Sequence, residues 1–202
     1  NQEDNYVMKR GYNGIPGSFS EAAAHELVKQ SNLENVSYLP LVCAKNILEA
    51  LKNNDIDYGV LGVENSTAGP VGEFVVCFTG VDYDHLDSFI LPIHHCLFKK
   101  SADISMEHLT EVASHPQALS QTKNTRAADY PSLKEREMED TAIGAEWLAK
   151  GELPDTTAVI CSKNAGTSWN LDLIAENIED SSTNRTTFWL LKLNNVCFHK
   201  SR

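Results

Sequence analysis

Long apolar runs and positive charge are both scarce in this sequence of 202 residues. No apolar run approaches the ~20 residues that a membrane-spanning helix needs, and the polar residues 1–10 do not have the pattern of a signal peptide. Lys and Arg total 17 against 28 Asp and Glu, giving a net charge of -11. Because this charge repels polyanions, we expect the chain to bind neither nucleic acid nor a membrane surface.

Metal-binding and cofactor-binding motifs are also missing. The five cysteines occur in no C-x-x-C pair and in no Cys/His cluster, and they are Cys43, Cys77, Cys96, Cys161 and Cys197. We expect reduced thiols in a cytoplasmic protein. The sequence contains no P-loop, dinucleotide glycine fingerprint, H-E-x-x-H or G-x-S-x-G motif, so neither a cofactor nor a metal is predicted.

The composition, with 42% hydrophobic and 22% charged residues, is that of a packed globular protein. Helical and strand patterns alternate, which predicts an α/β fold with parallel sheets and right-handed crossovers. We expect two interleaved lobes, residues 8–88 with 183–195 and residues 89–182, and a frayed start. The predicted helices cover about 19–30, 44–53, 71–79, 116–126 and 141–150, and the predicted strands about 36–40, 58–64, 88–100, 157–161 and 186–193.

Two polar loops could bind a small anion. Residues 14–20 include Gly17 and Ser18 before a helix, where backbone N–H groups can hold a carboxylate or phosphate. Ser18 and Glu21 also have the spacing of a capping box, and an ordinary capped helix start is at least as good an interpretation. Asn65 and Ser66 follow a buried strand, where α/β proteins bind ligands, but an Asx turn would use the same residues.

A third polar segment, residues 114–121, combines Ser114 with Gln117 and Gln121, which lie one turn apart on one helix face. Such amides and a hydroxyl can bind a carboxylate or carbonyl without a charged group, although Gln121 would equally suit a solvated face. The adjacent His94 and His95 suggest a metal or acid/base pair. Side chains alternate along a strand and no carboxylate is nearby in sequence, so we favour structural roles for both.

The last predicted strand opens with residues 184–188. Strand alternation places Arg185 and Thr187 on one face and Thr186 on the other. Arginine can clamp a carboxylate with two parallel hydrogen bonds, and threonine can donate one hydrogen bond. A plain surface strand start remains an alternative for Arg185.

These segments occur in an order that resembles the prephenate dehydratase family over residues 8–193. The family's strings are G-x-x-G-[ST]-F-S, E-N-S with a following glycine, S-H-P-Q-A-L-x-Q and N-x-T-R-F, and the first three match at residues 14–20, 64–66 and 114–121. The resemblance implies two α/β lobes with a central cleft, similar to type II periplasmic binding proteins. It also implies cofactor-free conversion of prephenate to phenylpyruvate in L-phenylalanine biosynthesis, by a cytoplasmic homodimer.

The resemblance also implies roles for individual residues. Thr186 would help the hydroxyl group leave, while the substrate would be held by Asn65, Ser66, Ser114, Gln117 and Gln121, with Gly17, Ser18 and Thr141 lining the cleft. In the last motif, Thr187 replaces the family's arginine and precedes Phe188. Arg185 lies two residues earlier, about 6.6 Å along a strand, and could replace that cation in part.

Several alternatives stay open. The substrate could be arogenate instead of prephenate. The chain could be a prephenate decarboxylase-like enzyme of a natural-product pathway, which retains the ring hydroxyl, or a module that binds a small acid without turnover. Only about nine residues follow the last predicted strand, so we expect no ACT regulatory domain in this chain.

Overall fold

The computed structural model describes residues 6–194, which form two compact units. Unit 1 consists of residues 6–91 and 185–194, and unit 2 of residues 92–184. The sequence-based limits, after residues 88 and 182, differ from these by a few residues. Cys197 and His199 lie outside the described residues.

Unit 1 is built on a six-stranded sheet with the order β2-β1-β3-β11-β5, and β4 pairs with β3. The strands are β1 (Met8–Tyr12), β2 (Val36–Pro40), β3 (Tyr58–Asn65), β4 (Gly69–Pro70), β5 (Tyr83–Pro92) and β11 (Arg185–Leu193). The helices are α1 (Phe19–Ser31), α2 (Ala44–Lys52) and α3 (Gly72–Phe78). β1 is parallel to β2 and β3, whereas β11 is antiparallel to β3. The sheet is therefore mixed, and the expectation of parallel sheets alone was wrong.

Apolar side chains cover both faces of this sheet. On one face, α1 packs through Leu27 against Val60 and Phe188. On the other, α2 and α3 form a cluster with Leu61 and Leu191. The alternation of neighbouring residues between the two clusters is that of strands buried on both faces.

Strand β1 was missed in the sequence because Lys9 and Arg10 interrupt its apolar pattern. It lies between β2 and β3, and Arg10 is only 1% exposed. Gly11 allows the close approach of its neighbours, since a Cβ there would lie 2.7 Å from Leu41 and 2.8 Å from Ile56. Residues 8–10, the end of the segment that we expected to be frayed, thus belong to an internal strand.

Unit 2 has a five-stranded mixed sheet with the order β10-β6-β9-β7-β8. The strands are β6 (Cys96–Lys99), β7 (Glu111–Ser114), β8 (Lys134–Glu137), β9 (Thr157–Cys161) and β10 (Asp172–Ala175). The helices are α4 (Pro116–Gln121), α5 (Lys123–Asp129), α6 (Thr141–Ala149) and α7 (Lys163–Ser168), with a 3-10 turn at Met106–His108. Val112, Leu119 and Ile160 are among the residues of its apolar core.

Two predicted elements are divided in the structure. The strand expected over 88–100 separates into β5 and β6, because the backbone of His95 bonds instead to the Glu179 side chain and to Ile178. The helix expected over 116–126 separates into α4 and α5 at Thr122, whose hydroxyl donates to the Ala118 carbonyl at 2.8 Å. Such back-bonding by threonine bends helices. Among the described helices, none has the length and apolar character needed to cross a membrane.

Candidate active site

The end of β3 and the start of β11 are joined by the side chain of Asn65. Its Nδ2 donates to Thr186 Oγ1 at 2.9 Å and to the Arg185 carbonyl at 3.1 Å. Its Oδ1 accepts from the backbone N–H groups of Thr67 and Ala68, each at 2.9 Å. Asn65 is 4% exposed. The structure thus gives Asn65 a role in holding Thr186 in place, and the substrate contact that we predicted for it stays a prediction.

Thr186 is half-buried on the face of the sheet that α1 covers. Its Cγ2 lies above Gly62, where a Cβ would be 3.5 Å from Thr186 and 3.4 Å from the Phe188 ring. Phe188, a predicted site residue, is buried in the core cluster on the same face of the sheet. Because Thr186 Oγ1 accepts from Asn65, and no acceptor for its own proton lies among residues 6–194, this hydroxyl can donate to a ligand.

The residues beside Thr186 differ in their environment. Ser66 Oγ accepts from the backbone N–H of Arg185 at 2.8 Å, and the backbone N–H of Ser66 donates to the Arg185 carbonyl, also at 2.8 Å. The exposed Arg185 guanidinium makes no ion pair with any residue that the structure describes. Thr187 lies opposite Glu64. The β-bulge next to this pair is on β3, where Val63 is the extra residue, so successive side chains of β11 still alternate regularly between the two faces of the sheet. Arg185 and Thr187 therefore lie on the face opposite Thr186.

The loop before α1 matches the helix-capping interpretation. Ser18 Oγ accepts from the Glu21 N–H at 3.2 Å, and Glu21 Oε1 accepts from Gly17 N–H at 3.3 Å. Gly17 has a φ of 87°, which favours glycine. The other Glu21 oxygen accepts from the Tyr12 hydroxyl, and burial raises the pKa of Tyr12. Sequence reasoning missed Asn13, whose Oδ1 accepts from the Gly62 N–H at 3.4 Å beneath Thr186.

In unit 2, Gln121 is the predicted residue with the most defined geometry. Its Oε1 accepts from Asn184 Nδ2 at 2.8 Å and lies 2.7 Å from His95 Nε2. Its backbone carbonyl accepts from the Asp180 N–H at 2.7 Å. The half-buried Gln121 Nε2 has no hydrogen-bond partner within the described part of the chain. Sequence reasoning assigned no such role to His95 or Asn184, because both lie far from Gln121 along the chain.

The other two predicted site residues of segment 114–121, Ser114 and Gln117, differ in their exposure to solvent. Ser114 is 0% exposed, and its hydroxyl donates to the Ile160 carbonyl at 2.8 Å. The structure therefore gives Ser114 a role in joining β7 to β9, and its predicted substrate contact stays a prediction. Gln117 is exposed, and its backbone N–H donates to His115 Nδ1 at 3.0 Å.

The start of α6 is capped by Asp140, whose Oδ1 accepts from the Ala142 N–H at 2.7 Å. Burial raises the pKa of Asp140. The predicted site residue Thr141 is the first residue of this helix and is half-buried. A cavity of about 560 Å³ lies at the carboxyl ends of β7 and β8; it is lined by His115, Pro116, Arg136, Glu137, Met138, Glu139, Ile143 and Trp147.

The two adjacent histidines have structural partners, as expected. The carboxylate partner that sequence proximity did not reveal is Glu179, which lies 2.7 Å from His94 Nδ1 and accepts from the His95 N–H at 2.9 Å. His94 is half-exposed, whereas His95 is 3% exposed. Burial lowers the pKa of His95.

The family model described as "Prephenate dehydratase" matches residues 11–196. The chain belongs to the prephenate dehydratase family. Among curated relatives, arogenate dehydratase 1 of Petunia hybrida is 33% identical over 92% of this chain and 42% of its own length. The prephenate dehydratase of Lactococcus lactis subsp. cremoris is 33% identical over 91% of this chain and 63% of its own. The chain thus spans less than two thirds of either relative.

Solved structures agree with the predicted fold class. A prephenate dehydratase from Arthrobacter aurescens in complex with L-Phe has a TM-score of 0.80 at 21% identity, covering 93% of this chain and 60% of that one. A periplasmic substrate-binding protein of an ABC transporter from Coxiella burnetii has a TM-score of 0.50 at 14% identity, covering 91% and 84%. The predicted α/β class with two lobes, similar to periplasmic binding proteins, is confirmed.

One departure from the prephenate dehydratase family pattern lies beside Thr186. The family string N-x-T-R-F is represented by Asn184, Thr186 and Phe188, with Thr187 in place of the arginine. An arginine at this position would lie directly opposite the exposed Glu64. The substitution therefore removes a cation from the face of the strand that Arg185 shares.

Proposed function

We propose that this chain catalyses the decarboxylating dehydration of prephenate to phenylpyruvate in L-phenylalanine biosynthesis. The proposal rests on membership of the family and on one observation, the hydrogen bond from Asn65 to Thr186 Oγ1. That bond occupies an oxygen lone pair of Thr186 and leaves its proton for another acceptor. A donor held in this way suits a leaving hydroxyl group.

In the proposed reaction, the bond from the ring to the carboxylate breaks and its electron pair makes the ring aromatic. The bond from the ring to the hydroxyl breaks at the same time, giving carbon dioxide and hydroxide. Thr186 donates a hydrogen bond to the departing oxygen, which takes its proton from solvent to become water. No oxidant or reductant is required, because the gain of aromaticity drives the step, and a positioned donor lowers the barrier.

We further propose that substrate oxygens are bound by donors on the described residues. Gln121 offers its two amide N–H groups, and Gln117 offers an exposed amide. Arg185 contributes an exposed cation at the start of β11, on the strand face opposite Thr186, and its long side chain supports a role in binding a carboxylate. Glu64 on the neighbouring strand opposes this attraction.

The test is incubation of the purified chain with prephenate, and separately with arogenate, followed by chromatography and mass spectrometry of the products. Thr186→Val keeps the shape and removes the hydroxyl, so kcat should fall about a hundredfold or more. Thr186→Ser keeps the donor and serves as the matched control. Equal rates for the valine and serine variants would contradict the role of Thr186. Phenylpyruvate as product supports a prephenate dehydratase, and phenylalanine supports use of arogenate.

A second candidate function is favoured by Thr187, which stands where the dehydratase family has arginine. A prephenate decarboxylase-like enzyme would lose carbon dioxide and retain the ring hydroxyl. A dihydro product that still carries the hydroxyl would support this function. Saturable binding of prephenate without any product would instead support a module that only binds a small acid.

The proposal includes a cytoplasmic homodimer. The four cysteines that the structure describes are free thiols, in keeping with a reducing compartment. β5 is an edge strand, and its Leu86 and Ile90 are 44% and 57% exposed, which supports burial against a second copy. Analytical ultracentrifugation should show that the wild-type chain is a dimer. The double variant Leu86→Lys with Ile90→Lys should be a monomer. A monomeric wild type would contradict it.

A further inference from the structure

The side chain of Gln121 is held by hydrogen bonds at its oxygen end only. Oε1 accepts from Asn184 Nδ2 at 2.8 Å, and an amide oxygen has no proton to give to His95 Nε2 at 2.7 Å. His95 is therefore the donor in the second bond, and its proton lies on Nε2. With both oxygen lone pairs occupied, Gln121 can offer a ligand only its two N–H groups.

The opposite orientation of this amide is disfavoured by its surroundings. Rotation by half a turn would set the Gln121 amine against the N–H groups of Asn184, and it could donate to His95 only if the imidazole proton moved from Nε2 to Nδ1. Donors facing donors leave buried polar groups unsatisfied, which is costly. His95 and Asn184 together thus determine which end of Gln121 faces outward.

His95 is itself held firmly. The backbone N–H of His95 donates to Glu179 Oε2 at 2.9 Å, and its backbone carbonyl accepts from the Ile178 N–H at 3.0 Å. The residue is 3% exposed, and it immediately precedes β6. The Gln121 carbonyl is tied to the same segment through the Asp180 N–H at 2.7 Å. A rigid donor of this kind loses little conformational entropy when a ligand binds.

We infer that His95 is a positioning residue of the proposed reaction: together with Asn184 it orients the Gln121 amide so that both N–H groups bind a carboxylate of the substrate. The inference rests on the proposed function and adds a residue to it. His95 touches no substrate and acts only through Gln121. Its contribution should therefore appear in substrate binding and vanish when Gln121 is removed.

The test compares His95→Leu, His95→Gln, Gln121→Leu and the double variant His95→Leu with Gln121→Leu. His95→Leu should raise KM for prephenate about tenfold with kcat within about threefold, as expected for loss of one neutral hydrogen bond. His95→Gln places an amide N–H near the former Nε2 and should recover most of that loss. The double variant should match Gln121→Leu, because the two residues act as one unit.

His94→Leu is the matched control, since His94 also bonds to Glu179 but not to Gln121. Its KM should stay within about twofold of wild type, and thermal unfolding should confirm that every variant is folded. If the increases in KM of the two single variants simply add in the double variant, or if a folded His95→Leu has an unchanged KM, the positioning role is overturned. Turnover of prephenate by the wild type would still uphold the proposed function in either case. A folded wild type that neither binds nor converts prephenate would overturn the proposed function, and the inference with it.

Discussion

The amide of Asn65 and the hydroxyl of Thr186 face each other at 2.9 Å, with Asn65 as donor and Thr186 as acceptor. The two residues are 121 positions apart in sequence and are paired in register at the point where β3 and β11 meet. The direction of this bond matters more than its strength. It leaves the threonine proton available, which is the property that the proposed reaction needs.

Reversing that direction should abolish most of the activity. In Asn65→Asp, a carboxylate would accept the Thr186 proton instead of donating to its oxygen, so kcat should fall about a hundredfold. The backbone bonds of Thr67 and Ala68 to the side-chain oxygen would remain, and the variant should fold. Steady-state kinetics with circular dichroism checks this. Full activity in a folded Asn65→Asp would show that the bond direction has no role.

The exposed cation of Arg185, at the start of β11, should control substrate affinity. Arg185→Gln should raise KM by about tenfold or more, since a charge-assisted bond contributes roughly 1.5–3 kcal/mol. Adding Thr187→Arg to this variant restores the family motif and should lower KM again. Kinetics of the single and double variants tests the idea of a displaced arginine. If Arg185→Gln leaves KM unchanged, Arg185 does not bind the substrate.

The stability of the fold should decrease on acidification because of His95. Burial lowers its pKa below the ordinary value of 6.5, against smaller opposing effects of its bond to Gln121 and of Glu179, while His94 adds to the lowering. Below about pH 6.5 the unfolded chain therefore binds more protons than the folded one, and the free energy of unfolding falls as the pH falls. Urea unfolding between about pH 8 and pH 5 measures this. His95→Gln should have a shallower pH dependence, and an identical slope would contradict the assignment.

The buried side chain of Arg10 should lower the free energy of unfolding of the protein. It is 1% exposed, and its Nε and Nη1 have no hydrogen-bond partner among the described residues, although its Cζ lies 5.7 Å from the centre of the Tyr58 ring. Replacing a buried charge by an apolar side chain of similar length is often stabilising, so Arg10→Met should raise the free energy of unfolding by about 1–3 kcal/mol. The exposed neighbour offers a control, Lys9→Met, expected within about 0.5 kcal/mol of wild type. A loss of stability in Arg10→Met would indicate that the cation–π contact outweighs desolvation.

Elements defined by local signals were predicted well. The capping pair Ser18 and Glu21 marks the start of α1, and Asp140 with Gly151 marks the two ends of α6, where Gly151 has a φ of 78°. These signals act within one helical turn, so sequence alone reveals them. β1 and the break at Thr122 were missed, because one depends on neighbouring strands and the other on a side chain that bonds back to its own helix.

The sequence by itself determined which polar residues occur in family order, and hence the family, the α/β class and the candidate site segments. Only the tertiary structure decided the role of each residue. It committed Asn65 and Ser114 to internal bonds, left the Thr186 proton available and turned the Gln121 amide outward through His95 and Asn184. The physical reason is that a hydrogen-bond donor is defined by its partner, and these partners are brought together by strand pairing and packing across long stretches of chain.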